Sequence, residues 1–589
     1  MSRWLKLRLL ACYVLLVAGG SIVAAEPRRE LWQLVSKDVG LAVEARGLSE
    51  QARRFLGSEL FQRIQRHSSW QLVLQSKEAK EIEELQRTVR DVTKQPLHGW
   101  LDKLFGQEAL LSVVPQPEGR PHSVLLLRLA RPADLTEILA ACQQLEPRTE
   151  TRLEHQGQAY FRRTKVEEPT EEMFYALLDD VLVLSDRAES LTPVLDLARD
   201  PEQRRSIHRD PNFQQTMKAL HASSVIRVFI QPVAWGATRD AQQVPSTDLV
   251  GRLIQRAWSR CQGVGIGIRQ ESGLITEVVA RSDDLANDSV WMKLVAKTSG
   301  APAFLARVPN SAVLAFAGRH DLADVTVWAL SQIPPENLKK WKSTRQVISG
   351  FLLGSDLLTE ILPQLPADFG GFLIPRSDLE LDAPPVDGLL AVSLPTATAE
   401  DAGNQQARPT VRNSIDNALR TAVSMLAAMH NSTSEDNATI EQVDQNGVTV
   451  HWIESLGALR PAYAMSPDYF LVASSPQLIR DFLSQSPSNT LAADERWKKL
   501  REFSFADASQ IVVLQGRLLA SVIRERREFL LKQLEACHKL QPEDAGKRLD
   551  RMLEWVQLSD AVVLASSWHA DHIKLVLVLA VSPTEPAKP

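Results

Sequence analysis

The feature that most constrains this chain is an internal repeat of very long period. Val35-Ser-Lys-Asp-Val-Gly-Leu-Ala-Val-Glu-Ala-Arg46 lies against Val308-Pro-Asn-Ser-Ala-Val-Leu-Ala-Phe-Ala-Gly-Arg319, so that Val35, Leu41, Ala42 and Arg46 meet Val308, Leu314, Ala315 and Arg319. The order of later elements extends the match. Gln156-Gly157 separates two strand-like runs, and Asn446-Gly447, a strong hairpin signal, does the same further on. Ala176 to Ser185 and Ala464 to Ala473 both read as strand, acidic turn, strand. A helical stretch follows each, Leu191 to Arg199 and Pro476 to Ser484, and then an apolar strand, Ser223 to Gln231 and Ala508 to Gln515. Each half carries a late amphipathic helix at i, i+3, i+4 spacing, through Leu249, Leu253 and Trp258 in one and Leu549, Met552 and Val556 in the other. Each half closes on a hairpin: Gly263–Arg269 with Leu274–Ala280, and Ala561–Trp568 with Ile573–Val581.

A chain of 589 residues exceeds what one core supports. The repeat therefore implies two tandem homologous α+β domains, 26–297 and 298–581, each an antiparallel sheet with helices packed on one face. In Ile573 to Val581, Ile573, Leu575, Leu577, Leu579 and Val581 alternate with Lys574, Val576, Val578 and Ala580, and a long run of this kind fits a strand buried largely on both faces. Thr396–Arg408 and His430–Ala438 read as exposed loops, Leu518 to His538 as one long helix, and 582–589 as an unstructured tail.

Arg3, Lys6 and Arg8 precede an apolar stretch from Leu9 to Ala24 and a small-residue site at Val23-Ala24-Ala25. This pattern predicts a signal peptide over 1–25 and an exported chain, periplasmic or secreted, with a membrane anchor as the alternative if cleavage fails. Cys12 lies too early in the apolar run to be a lipid-attachment cysteine. Outside that leader no segment reaches the roughly 18 apolar residues of a membrane span. A net charge of −5 argues against a nucleic-acid partner. Cys142, Cys261 and Cys537 are widely spaced and odd in number, which leaves room for at most one bridge.

The chemistry-bearing motifs are absent. There is no His-Glu-x-x-His, no phosphate loop, no Gly-x-Ser-x-Gly elbow and no Cys-x-x-Cys pair. Gly263-Val-Gly-Ile-Gly267 alternates inside an apparent strand, where glycine permits close packing, and lacks the helix that a dinucleotide fingerprint requires. His569, Asp571 and His572 could ligate zinc or copper, but they sit at a hairpin turn without a further ligand nearby. Cys537 and His538 are helix neighbours whose side chains diverge. His122, His208, His221, His320 and His451 are scattered and read as structural or surface groups. The 13 Trp, spread over both halves, read as packing residues. The runs Lys77 to Arg90 and Arg524 to Arg527 read as solvated helix faces. The sequence thus yields no catalytic, cofactor-binding or metal-binding residue and implies no cofactor.

With its signal segment, its Val35–Arg46 and Val308–Arg319 copies and its two strand pairs, the chain resembles a class of large exported bacterial proteins known as domains of unknown function. That resemblance implies a duplicated α+β fold and carries no catalytic residues with it. The expected function is a non-enzymatic binding or interaction protein of the cell envelope or extracellular space, taking another protein or an apolar ligand. The alternative is a cofactor-free hydrolase with a dispersed acidic and histidine site between the two domains.

Overall fold

The computed structural model describes residues 29–581 apart from 106, 201–204, 239–257, 259, 272, 283–284, 286, 288, 297, 299, 332–334, 377–382, 396–409, 435–436, 455–458 and 502–506. The signal segment, the C-terminal tail, the loop expected at Thr396–Arg408 and most of the helix expected around Leu249–Trp258 lie outside the described residues. The protein is a mixture of helices and antiparallel sheet in two compact units, the second spanning residues 284–580 and the first the chain before it together with Val581.

The first unit contains β1 (Leu41–Arg46), β2 (Glu108–Val114), β3 (His122–Arg128), β4 (Arg148–His155), β5 (Gln158–Lys165), β6 (Glu172–Leu178), β7 (Val181–Ser185), β8 (Ile226–Ile230), β9 (Gly263–Gln270) and β10 (Gly273–Arg281). Their antiparallel pairings give the order β10-β9-β8-β1-β2-β3-β7-β6-β5-β4. Gln156 and Gly157 both take positive φ, 48° and 84°, which is the turn a two-residue hairpin needs to match strand twist.

Helices cover both faces of this sheet, not one. Ala42, Leu110, Leu126 and Val183 pack on one side with Leu191 and Leu195 of the helix Ala188–Arg199. Ala45, Ala109, Leu127 and Leu182 pack on the other with Trp100 of Leu97–Phe105 and Ile138 of Asp134–Leu145. The inserted helices between β1 and β2 supply much of this second cover. The glycines of β9 confirm the packing reading. A Cβ on Gly265 would stand 3.0 Å from Thr216 Cγ2 and one on Gly267 2.6 Å from Ser224 Oγ, so the helix Pro211–Lys218 and the turn after it lie directly on the strand.

The second unit contains β11 (Leu314–Arg319), β12 (Asp368–Pro375), β13 (Val386–Ser393), β14 (Thr439–Gln445), β15 (Val448–Glu454), β16 (Ala462–Met465), β17 (Tyr469–Ala473), β18 (Gln510–Gln515), β19 (Ala561–Trp568) and β20 (His572–Ala580). The order is β20-β19-β18-β11-β12-β13-β17-β16-β15-β14, again antiparallel throughout. Strand for strand this is the order of the first unit. The isolated bridges correspond too: Ser36 pairs with Ser206, and Pro309 with Thr490.

Several expectations are corrected. The helix Ser289–Ala296, assigned from sequence to the first domain, belongs to the second unit, where Trp291 stacks on Trp568 at 5.1 Å and donates to the His569 carbonyl. The helix expected over Leu518–His538 breaks at Arg526, whose φ of −110° and ψ of 25° end Gly516–Glu525 and start Arg527–His538. Arg526 is itself buried, so that charged run is only partly a solvated face. Residues 430–433, expected in a loop, close the helix Val411–Thr433. Met552, placed on a buried stripe, is exposed beside buried Leu549. Cys142, Cys261 and Cys537 are all free. Among the described residues no helix is long and apolar enough to cross a membrane.

Candidate functional site

The alternating run of β20 predicts a strand buried largely on both faces. Val576 and Val578 are buried, but Leu575 and Leu577 on the opposite face are open. That opening is part of a larger surface. Leu577, Leu564, Val512, Phe316, Gly371, Leu390 and Val472 stand opposite one another across β20, β19, β18, β11, β12, β13 and β17. Leu390 is 54% exposed, Leu564 44% and Val512 37%. β-Branched and leucine side chains favour these strands by packing, yet here the packing partner is solvent. The helix Val411–Thr433 covers only one end of this face, setting Val411 and Ile415 near Met465 and Phe470.

Within this face lies a groove of about 510 Å³, lined by Leu314, Phe316, Leu373, Leu390 and Val472, with Ser474 at its margin. Gly371 shapes it. A Cβ there would fall 2.8 Å from both Phe316 Cε1 and Leu390 Cδ2, so only glycine lets these two side chains close over the strand. The groove has no charged lining residue. It can take apolar surface out of water and offers almost nothing to orient a polar substrate.

The first unit carries a different feature, a chain of charges within the sheet. Glu44 on β1 is fully buried and receives Arg227 at 2.6 Å and Arg46 at 3.2 Å. Burial opposes its ionisation, but Arg227 and Arg46 outweigh burial and hold the carboxyl below the usual range. Glu108 on β2 is pushed up to about 7, first by burial and then by the charge of Glu44, although Arg128 reaches it at 3.0 Å. Arg128 also pairs with Asp180 at 2.9 Å. In the second unit the matching cross-strand pair is Arg319 and Asp368, and burial pushes Asp368 up to about 6. The row Glu44–Arg227, however, is replaced by Ala317–Ile511.

The histidines singled out from sequence do not converge. His208 faces Glu30 at 3.6 Å, His221 meets Ser223 at 2.7 Å, and His451 stacks on Tyr463 at 4.9 Å. His572 bonds its neighbour Asp571 at 2.8 Å and stacks on His569. Among the described residues no group of His, Cys, Asp and Glu has metal-binding geometry. Cys537 and His538 sit at a helix end. Phe316, Leu390 and Val472 were not singled out from sequence, because each belongs to an ordinary strand and only the register unites them. No family model, no curated protein and no solved structure matches this chain.

Proposed function

We propose that the chain is an exported, non-enzymatic binding protein built from a duplicated α+β unit, whose second unit takes an apolar small molecule on its open sheet face. The groove of about 510 Å³ without a charged lining residue carries this reading. Its size falls within the roughly 300–1,000 Å³ of small-molecule sites. The concave groove, more than the flat exposed row Leu577, Leu564 and Val512 beside it, favours a small molecule over a protein partner. Shared strand order, the matched bridges and the Arg46–Glu108 and Arg319–Asp368 pairs support duplication. The basic and apolar leader supports export, in keeping with the resemblance to exported bacterial proteins.

The test is titration of the full chain with 8-anilinonaphthalene-1-sulfonate, whose fluorescence rises in apolar sites. Saturable binding that weakens at least tenfold in Leu390→Asp, with unchanged circular dichroism, is the expected result. Equal affinity in the variant would show that the groove is not the binding site.

The hydrolase reading has one observation in its favour, the raised Glu108 beside Glu44. Both carboxyls are already engaged by guanidinium groups, which suits ion pairing within the sheet better than proton transfer to a substrate.

A further inference from the structure

The first unit holds a cavity of about 780 Å³ between the segment Leu34–Asp38, the adjoining ends of β2 and β3 and the helix Ala188–Arg199. The second unit shows what this place looks like when closed. Its corresponding helix, Pro476–Ser484, follows β17 as Ala188–Arg199 follows β7. There Phe372 and Phe482 stack with ring centroids 6.3 Å apart, and Phe304 lies 6.1 Å from Phe482. These rings fill the space.

In the first unit the same positions carry smaller groups. Ala315 faces Phe372 across the strands, whereas Ala42 faces Ser112. Counting from the ends of β17 and β7, Phe482 corresponds to Val194 and the buried Leu478 to Ser190. Ser112, Val194 and Ser190 all line the cavity. The fold therefore closes well with aromatic side chains, and the first unit instead keeps a hollow. It also keeps a cost there: Ser190 is 5% exposed, and its hydroxyl has no partner within the protein. A hollow with an unmet polar group is what a ligand's own hydrogen bonds would complete.

The charges around it narrow the ligand. Asp38, Glu189, Asp196 and Asp200 line the cavity against the guanidiniums of Arg199 and Arg205. His155 bonds Asp196 at 2.8 Å, and Arg199 donates to the Gln156 carbonyl, so part of this rim is fixed in place. We infer that this cavity is a binding site for a small zwitterionic ligand with excess positive charge, of the basic amino-acid or short basic-peptide type. Its ammonium groups face the carboxylates, and its single carboxylate faces an arginine. The inference stands apart from the apolar groove of the second unit.

The experiment is isothermal titration of the full chain with the dipeptide Lys-Lys, compared with Glu-Glu. Saturable binding of Lys-Lys, at least tenfold tighter than Glu-Glu, is expected. Ser112→Phe with Val194→Phe, which rebuilds the closed arrangement, should weaken Lys-Lys at least tenfold while 8-anilinonaphthalene-1-sulfonate binding is unchanged. If that variant fails to fold by circular dichroism, Glu189→Gln and Asp38→Asn carry the test, each with an expected loss of threefold or more. Absence of saturable Lys-Lys binding, equal binding of Glu-Glu, or full retention of binding in the folded variants would overturn the proposal.

Discussion

Acidification should weaken the second unit through one side chain, His320. It follows β11, is 1% exposed, lies with its ring 4.3 Å from that of Trp568, and has no protein partner on either ring nitrogen. Burial lowers its pKa to about 4. An unfolded imidazole titrates near 6.5. Between these values the unfolded chain holds a proton that the folded chain does not, so stability falls as pH drops from about 6.5 to about 4 and levels off below. At about 1.4 kcal/mol per pH unit the gap corresponds to about 3 kcal/mol. His320→Phe removes the titration while keeping a ring against Trp568. Urea unfolding followed by tryptophan fluorescence, at pH 7 and pH 4, gives the stability of both proteins. The wild type should lose about 3 kcal/mol more than the variant over that interval. The difference cancels every other titrating group. A difference constant within 1 kcal/mol would refute the reasoning.

Removing Glu44 as Glu44→Ala strands the Arg227 guanidinium and should cost about 3–5 kcal/mol in denaturant unfolding. Adding Arg227→Ile recreates the Ala317–Ile511 pair of the second unit and should bring stability back to within about 1 kcal/mol of the wild type; a double variant no better than the single would contradict the correspondence. Gly370→Ala would place a Cβ 2.1 Å from the Phe304 ring and 2.6 Å from the Phe316 carbonyl oxygen. Overpacking of this kind costs about 1–3 kcal/mol, and each kcal/mol lowers Tm by roughly 2–4 °C in a unit of this size. An unchanged Tm in differential scanning calorimetry would show that both the Phe304 ring and the β11 backbone at Phe316 can move aside.

The parts of the fold legible from sequence are those with local causes. Asn446 and Gly447 adopt positive φ, 56° and 78°, because a two-residue hairpin demands it, and that demand is written in the residue types. The edges of Ala561–Trp568 and Pro476–Ser484 were readable for similar reasons. The alternating glycines of β9 announced a closely packed face, as Thr216 and Ser224 demonstrate. What failed depended on distant partners. Leu575 and Leu577 look as apolar as Val576 and Val578, and nothing local says which pair lacks a covering helix. The helix break at Arg526 has no proline or glycine to mark it. The groove unites Phe316, Leu390 and Val472 through cross-strand register alone, and the long alternating run at β20 was its one signal.

Ligand binding on the open face of the second unit can be mapped directly. A photoactivatable alkyl diazirine, irradiated with the full chain and mapped by peptide mass spectrometry, reports where apolar ligand rests. Adducts should concentrate on the peptides carrying Leu314, Phe316, Leu390 and Val472 and be competed away by excess unlabelled alkyl ligand. Adducts concentrated instead on another exposed apolar segment, such as Leu72 to Leu74, would contradict binding on that face.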